Sequence, residues 1–263
     1  MNSLLLNGRP VPQDALSALA LVNYGHFTSM QVRGGCVQGL ALHRQRLELA
    51  TLELFGGELD FEQVLHYMRV AVADRPDCSL RVTVFSSGFD YRKPGGDFAV
   101  DVLVSTGPPA SPIPHEVRIK SYVFARTLPH IKHVGTFPLF HHRRLALQAG
   151  YDDALFVDAS GAISEGSLWN VGFMHDGMVT WPNAPALGGT AARLLLQGLE
   201  GQGVRQQVRE VRLDELPRFK AAFACNAAGV WPITAIDGLA LGGSAAGVST
   251  LHAALDTIGW DPI

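Results

Sequence analysis

The sequence predicts an α+β fold in two domains. Three observations carry that expectation. Residues 1–106 read as strand, strand, helix, helix, strand, strand, without the alternation of a doubly wound sheet. Residues 107–114 (GPPASPIP) hold too many prolines to pair or coil regularly and read as a linker. Residues 115–263 place strands at the centre with helices between them.

The elements follow in order. Ser3 to Leu6 is a short apolar strand closed by Asn7-Gly8, a hairpin turn signal. Phe27 to Arg33 alternates as a strand, and Gly34-Gly35 turns it into Cys36–Leu40. Leu40, Leu47, Ala50 and Leu54 recur at helical spacing until Gly56-Gly57 ends the run. Asp60 opens a second helix, with Gln63 as its capping-box partner. Ser79–Ser86 and Phe98–Ser105 read as strands. Beyond the linker, Glu116–Val123 is a strand, and Phe140–Gln148 a helix stopped by Gly150. Ala154–Asp158 is a strand ending in the turn Asp158 to Gly161. Asn170–Met174 and Met178–Trp181 flank a second hairpin signal, Asp176-Gly177. A helix follows Gly188-Gly189-Thr190, Val204–Val211 and Ala222–Asn226 are strands, and Val248–Gly259 is a final helix.

Composition bounds the function. The chain of 263 residues is 47% hydrophobic and 17% charged, enough apolar material for a core and outside the disordered class. A net charge of −3 gives no general attraction to nucleic acid or to an anionic membrane. No apolar run is long enough to span a bilayer, and the start MNSLLLNGRP lacks the pattern of a signal peptide. Cys36, Cys78 and Cys225 are scattered and odd in number, which argues against a disulfide framework and fits a reducing cytoplasm. Of 21 basic residues only Lys93, Lys120, Lys132 and Lys220 are lysines. A lysine can lose its proton and attack a carbonyl, whereas arginine cannot readily do so. A codon bias toward arginine explains most of the imbalance, so it shortens a candidate list and does no more.

Common motifs are absent. There is no phosphate loop ending in Gly-Lys-Ser/Thr, no strand-linked GxGxxG, no HExxH and no GxSxG around Ser86-Ser87-Gly88. His141 and His142 are adjacent, about 100° apart on a helix, and make a poor chelating pair. No metal site is expected. What remains is a spread constellation. Lys132 lies in PHIKHVGTF, flanked by apolar residues and glycine, where burial lowers a lysine pKa. Glu165 lies in GAISEGSLWN. Gly188-Gly189-Thr190 opens a helix whose free N–H groups and dipole suit a phosphate. Arg46 lies on the helix LHRQRLE. A nucleophilic lysine, a carboxylate, an anion-binding helix start and an arginine are the parts that hold pyridoxal phosphate. Taken alone, Lys132 reads as an exposed loop lysine, Glu165 as a turn residue and Arg46 as an ordinary helix-surface charge.

A longer pattern joins them. The stretch DASGAISEGSLWNVGFMHDGMVTWPNAPALGGTAARLL resembles the signature of the class IV aminotransferases, the fold type IV pyridoxal-phosphate enzymes. That family includes branched-chain and D-amino acid aminotransferases and aminodeoxychorismate lyase. Asp158, Gly161, Ile163, Glu165, Asn170, Gly177, Leu187 and Gly189 match its pattern in order and spacing. LHRQRLE resembles the family's His-x-x-Arg-Leu helix, IKH its lysine segment, and CNAAGVWPITAIDG its late phosphate loop. The resemblance implies two α/β domains with the active site in the cleft between them, usually in a homodimer. It makes Lys132 the Schiff-base lysine and proton shuttle. Glu165 is then the partner of the pyridine nitrogen, and Arg46, Asn170, Gly189, Thr190, Ala191 and Asn226 are cofactor contacts, the phosphate falling to Arg46, Thr190, Ala191 and Asn226.

Departures bear on the reaction. Many family aminotransferases carry a tyrosine five residues after the lysine; here it is Phe137, which cannot donate a hydrogen bond. Lys132-His133 and FTSMQVRGG resemble the lyase branch, but the lyase's following Asn-Arg-Leu is here Gly135-Thr136-Phe137. The loop before Phe27 is about two residues shorter than the lyase's. The arginine after the family's Gly-x-Thr is missing or displaced to Arg193. Three functions follow. The first is transamination between an amino acid or amine and a keto acid, both small molecules. The second is a lyase releasing pyruvate, and the third a binding protein without turnover. Transamination is preferred because the lyase motif after Lys132 is broken. Its two carboxylate substrates need an anion site, to which Arg33, Arg126 and His133 are candidate contributors.

Overall fold

The computed structural model describes residues 3–12, 15–110, 117–242 and 245–263. They form two compact units, one of Met1–Ser111, Ile131–Gly135 and Gly259–Ile263, the other of Pro112–His130 and Thr136–Ile258. Residues 131–135 and 259–263, placed with the C-terminal domain on sequence grounds, thus cluster with the first unit. Of the expected linker 107–114, Gly107 ends a strand and 108–110 follow without regular structure. Residues 111–116, including Glu116 of an expected strand, lie outside the described residues.

The first unit begins with β1 (Leu4–Leu6), β2 (Arg9–Pro10) and a short helix α1 (Ser17–Leu21). It continues with β3 (Gly25–Val32), β4 (Cys36–Gln38), α2 (Leu40–Phe55), α3 (Phe61–Val72), β5 (Cys78–Phe85) and β6 (Asp101–Gly107). Its main sheet is antiparallel in the order β2-β1-β6-β5-β3. Period-2 alternation turns Met30, Val32, Leu80, Val82 and Val84 to one face, where Leu47, Phe55, Val64 and Met68 of the two helices close the core. Both helices end as their sequence requires. Gly56 adopts φ 72° and returns its N–H to Leu52 O, and Asp60 accepts the Gln63 N–H at 3.1 Å. β4 pairs with the last strand, Trp260–Pro262, which the sequence reading lacks.

The second unit contains β7 (Val117–Val123), α4 (Phe137–Gln148), β8 (Asp153–Val157), β9 (Ile163–Gly166), β10 (Asn170–His175), β11 (Met178–Pro182) and α5 (Thr190–Gly201). β12 (Arg205–Arg209), a 3-10 turn (Leu213–Arg218), β13 (Ala221–Asn226), β14 (Gly229–Ile236), β15 (Leu239–Ala240) and α6 (Ala245–Asp256) complete it. A mixed nine-stranded sheet runs β12-β11-β10-β13-β14-β7-β8-β9, with β15 on β14. α5 and α6 cover Phe223 and Cys225 of β13, while Ala222 and Ala224 face a second core with Phe173, Ile119 and Trp231. The signature turn at β8–β9 is a fold feature. Asp158 Oδ1 accepts the N–H groups of Ser160 and Ala162, and Gly161 takes φ 84°. Asp176 and Gly177, both at positive φ, make the hairpin between β10 and β11.

Candidate active site

In the first unit, residues 131–135 lie along the free edge of β3. The Phe27 N–H donates to Lys132 O at 2.9 Å, the Val134 N–H donates to Gly25 O at 2.9 Å, and His26 bridges His133. Backbone pairing therefore fixes the lysine segment where sequence alone shows a loop. Phe27, between the inward-facing His26 and Thr28, presents its ring on the opposite face of the sheet. Lys132 Nζ lies 4.8 Å from that ring's centroid and Arg81 Cζ 3.6 Å from it. Burial pulls the Arg81 guanidinium below its ordinary range. Arg81 is absent from the sequence-based candidates; its signal was a charge set into the strand SLRVTVFS.

The inner face of β3 carries a second set. Thr28 Oγ1 is 2.6 Å from His43 Nδ1 of α2, and Arg46 Nη1, one helical turn further, donates to Thr28 Oγ1 at 3.4 Å. His26 Nε2 is 2.9 Å from Thr51 Oγ1. Burial first, then the charges of Arg46 and Lys132, push His43 down to about 3. Burial alone pushes His26 to about 4. Both imidazoles are therefore neutral at ordinary pH.

In the second unit, β9 carries Glu165 into the interior, where its side chain and that of Arg126 are each 5% exposed and Arg126 Nε stands 3.6 Å from Glu165 Oε1. Burial pulls the Arg126 guanidinium below its ordinary range, and Glu165 opposes that pull. The Leu187 N–H donates to Glu165 Oε2 at 3.3 Å, and Asn170 Nδ2 donates to Leu187 O at 2.8 Å. Leu187 thus ties the carboxylate to the loop that enters α5. Gly189 caps that helix without a side-chain bond, and its small size is required: a Cβ there would stand 1.8 Å from Asn170 Oδ1. Thr190 and Ala191 open α5 with N–H groups that have no acceptor within the helix. Thr190 Oγ1 is buried and has no hydrogen-bond partner among the described residues. An orphaned hydroxyl beside a helix N-terminus is a donor set matched to a phosphate.

The other candidates make contacts of their own within the fold. The Arg33 guanidinium bonds Val32 O, Gln31 Oε1 and Ala110 O, holding its own strand end. Arg126, a candidate for the substrate's carboxylate, faces Glu165 in the interior. His133 takes part in the bridge to β3. Asn226 donates from Nδ2 to Leu168 O and accepts the Ala228 N–H at Oδ1, so its side chain shapes the β13–β14 turn. Phe137 opens α4, 75% exposed and stacked on His141. Among the other lysines, Lys120 pairs with Asp237, Lys220 pairs with Asp176, and Lys93 is exposed. Among the described residues no His/Cys/Asp/Glu group could hold a metal ion, and no helix is long and apolar enough to cross a membrane. The three cysteines are free, and burial pushes the Cys225 thiol up to about 12.

Known proteins resemble this chain in sequence and fold. A Rickettsia bellii protein named "Probable branched-chain-amino-acid aminotransferase" is 23% identical over 241 residues, 85% of this chain and 83% of that one. The branched-chain amino acid aminotransferase of T.th., solved with pyridoxamine 5'-phosphate, superposes with a TM-score of 0.85 at 20% identity, covering 96% of this chain and 92% of that one. The 4-amino-4-deoxychorismate lyase of Pseudomonas aeruginosa superposes with a TM-score of 0.83 at 24% identity, covering 97% and 99%. Both show the same fold. The family model described as Amino-transferase class IV matches residues 25–236, a span that runs from β3 through Lys132 and Glu165 to the end of β14. The chain belongs to the class IV aminotransferase family.

Proposed function

We propose that the chain is a pyridoxal-phosphate-dependent aminotransferase that moves an amino group between an amino acid or amine and a keto acid. The observation that carries the reading is the buried Glu165 carboxylate, held by Arg126 and the Leu187 N–H on the loop that leads into α5. A carboxylate held in place beside Arg126 and the Leu187 N–H is a fixed acceptor, the kind of group that suits a protonated pyridine nitrogen. The orphaned Thr190 hydroxyl fits the cofactor's phosphate. Pyridoxal phosphate, when bound, supplies an electron sink for a substrate carbanion.

Each residue then has a task. Lys132 would hold the cofactor through Nζ and, once the substrate's amine has displaced that nitrogen, would take the α-proton from the substrate and deliver it to the cofactor side. Glu165 would face the ring nitrogen and hold its proton in place. Within the first unit Arg46 would be a phosphate ligand; within the second, Thr190 Oγ1, the Thr190 and Ala191 N–H groups and Asn226 would be. His133 and Arg81 belong to the substrate side, Arg81 as a cation with a sheet-fixed position. Asn170 and Gly189 shape the cradle. The same reading carries the expectation of a cytoplasmic homodimer.

Phe137 keeps a second reading open, a lyase that releases pyruvate, since that branch also lacks the tyrosine at this position. Borohydride reduction and peptide mapping test the shared chemistry: the pyridoxyl mass falls on the Lys132 peptide, and label on Lys93, Lys120 or Lys220 instead would overturn it. A panel of L- and D-amino acids then separates the reactions. Keto-acid-dependent loss of amine is expected; pyruvate release from aminodeoxychorismate without an acceptor would establish the lyase instead.

A further inference from the structure

β3 and α2 face each other across two reciprocal pairs. A strand histidine, His26, meets a helix threonine, Thr51, and a strand threonine, Thr28, meets a helix histidine, His43. All four are buried, among apolar neighbours such as Leu47 and Ala50. An apolar seam would cost less to bury, because hydroxyls and imidazoles lose their water. The chemistry described so far uses neither pair. Arg46 connects one of them to a charge, through Nη1 to Thr28 Oγ1.

The direction of the protons follows from the partners. A guanidinium only donates, so Thr28 Oγ1 accepts from Arg46. The hydroxyl then has its own proton to give, and His43 Nδ1 lies 2.6 Å away. His43 is neutral beside two cations, so Nδ1 accepts and the ring proton sits on Nε2. We propose that Thr28 and His43 are positioning residues for Arg46: the hydroxyl, oriented by His43 Nδ1, fixes the guanidinium in the attitude that takes the cofactor's phosphate. This rests on the function proposed above. It adds Thr28 on the inner face of the very strand whose edge pairs with the Lys132 segment, and His43 on the α2 face packed against it, so β3 organises the lysine on its edge and the arginine through its inner face.

The test uses the full chain freed of cofactor and titrated with two probes, pyridoxal phosphate and pyridoxal, which lacks the phosphate. Thr28→Val replaces the hydroxyl with a methyl of the same shape. It is expected to weaken pyridoxal phosphate roughly tenfold, the size of a lost supporting contact, and to leave pyridoxal within about twofold. His43→Leu repeats that pattern, and Thr28→Ser restores the parent affinity. In an Arg46→Ala background Thr28→Val adds no further loss, as coupled residues require. Equal weakening of both probes, no weakening of either, or additive losses would overturn the inference, because each outcome makes Thr28 a packing residue. Failure of the parent chain to bind pyridoxal phosphate is a different result: it removes the proposed function and this inference with it.

Discussion

Glu165 and Arg126 form a buried pair, and such a pair is costly to break from one side. Removing the guanidinium leaves the carboxylate without that counter-charge, so Arg126→Gln is expected to destabilise the fold by about 3–5 kcal/mol. Denaturant unfolding measures this, and a change below about 1 kcal/mol would show that Glu165 does not depend on Arg126. Glu165→Gln tests the other side of the pair. The amide should retain the cofactor yet slow exchange of the substrate's α-proton at least about a hundredfold, since a preorganised charge at a reacting ring is worth that much. Proton exchange followed in deuterated buffer reads this directly; parent-like exchange would place the carboxylate away from the ring. The sequence already pointed to Glu165 and Lys132, because both stand in spaced motifs. It could not reveal that Arg126 belongs to Glu165. That pairing joins residues 39 positions apart, brought together by sheet topology, and an isolated arginine in a sequence looks the same whether it faces solvent, substrate or a buried carboxylate.

At the level of elements, Gly189 has a sharper role than helix entry. Gly189→Ala drives a Cβ into Asn170 Oδ1, which must leave the position from which its amide holds Leu187. The loop then loosens at both the Glu165 contact and the α5 start. The expected outcome is weaker pyridoxal phosphate binding by about an order of magnitude with α5 still formed, measured by titration and circular dichroism. The β3–α2 seam makes a prediction in pH. His26 and His43 have folded pKa values of about 4 and about 3, below the unfolded value near 6.5. The unfolded chain takes up these protons first, so stability is intact above that value and falls as pH drops toward 4, each histidine contributing up to about 1.4 kcal/mol per pH unit. Chemical melts between about pH 7 and 5 check the slope, and His26→Gln should cut it by about half, leaving the share of His43. Elements with strong local patterns, α2 and α3 above all, were legible in the sequence. β9 and β14 were not. β9 has four residues, two of them Ser and Gly, and β14 contains Pro232 beside a register shift; both exist because neighbouring strands complete them. The strand Phe98–Ser105 begins at Asp101 instead, since Phe98 and Val100 pack against the core without pairing.

For the molecule as a whole, the path of the chain matters more than its division. The first unit receives residues 131–135 and 259–263 after the chain has entered the second. A fragment of residues 1–106 therefore lacks the segment on the open edge of β3 and the partner of β4. Expressed alone, it presents an unpaired edge with buried-type residues behind it, and aggregation is the expected outcome. Size-exclusion chromatography of the fragment decides this; a monodisperse, folded monomer would show that both additions are dispensable. The short return at 131–135 also carries Lys132. Were it supplied by a chain terminus, a recombination event at the Gly-Pro-rich stretch could exchange one half for that of a relative and keep both folded. Because the segment comes from the middle of the chain, any such exchange separates Lys132 from the β3 edge with which its backbone pairs. A chimera joined at residues 107–114 would therefore set a β3 from one parent against a 131–135 segment from the other, and a change along that edge of β3 is felt first by the backbone that carries Lys132.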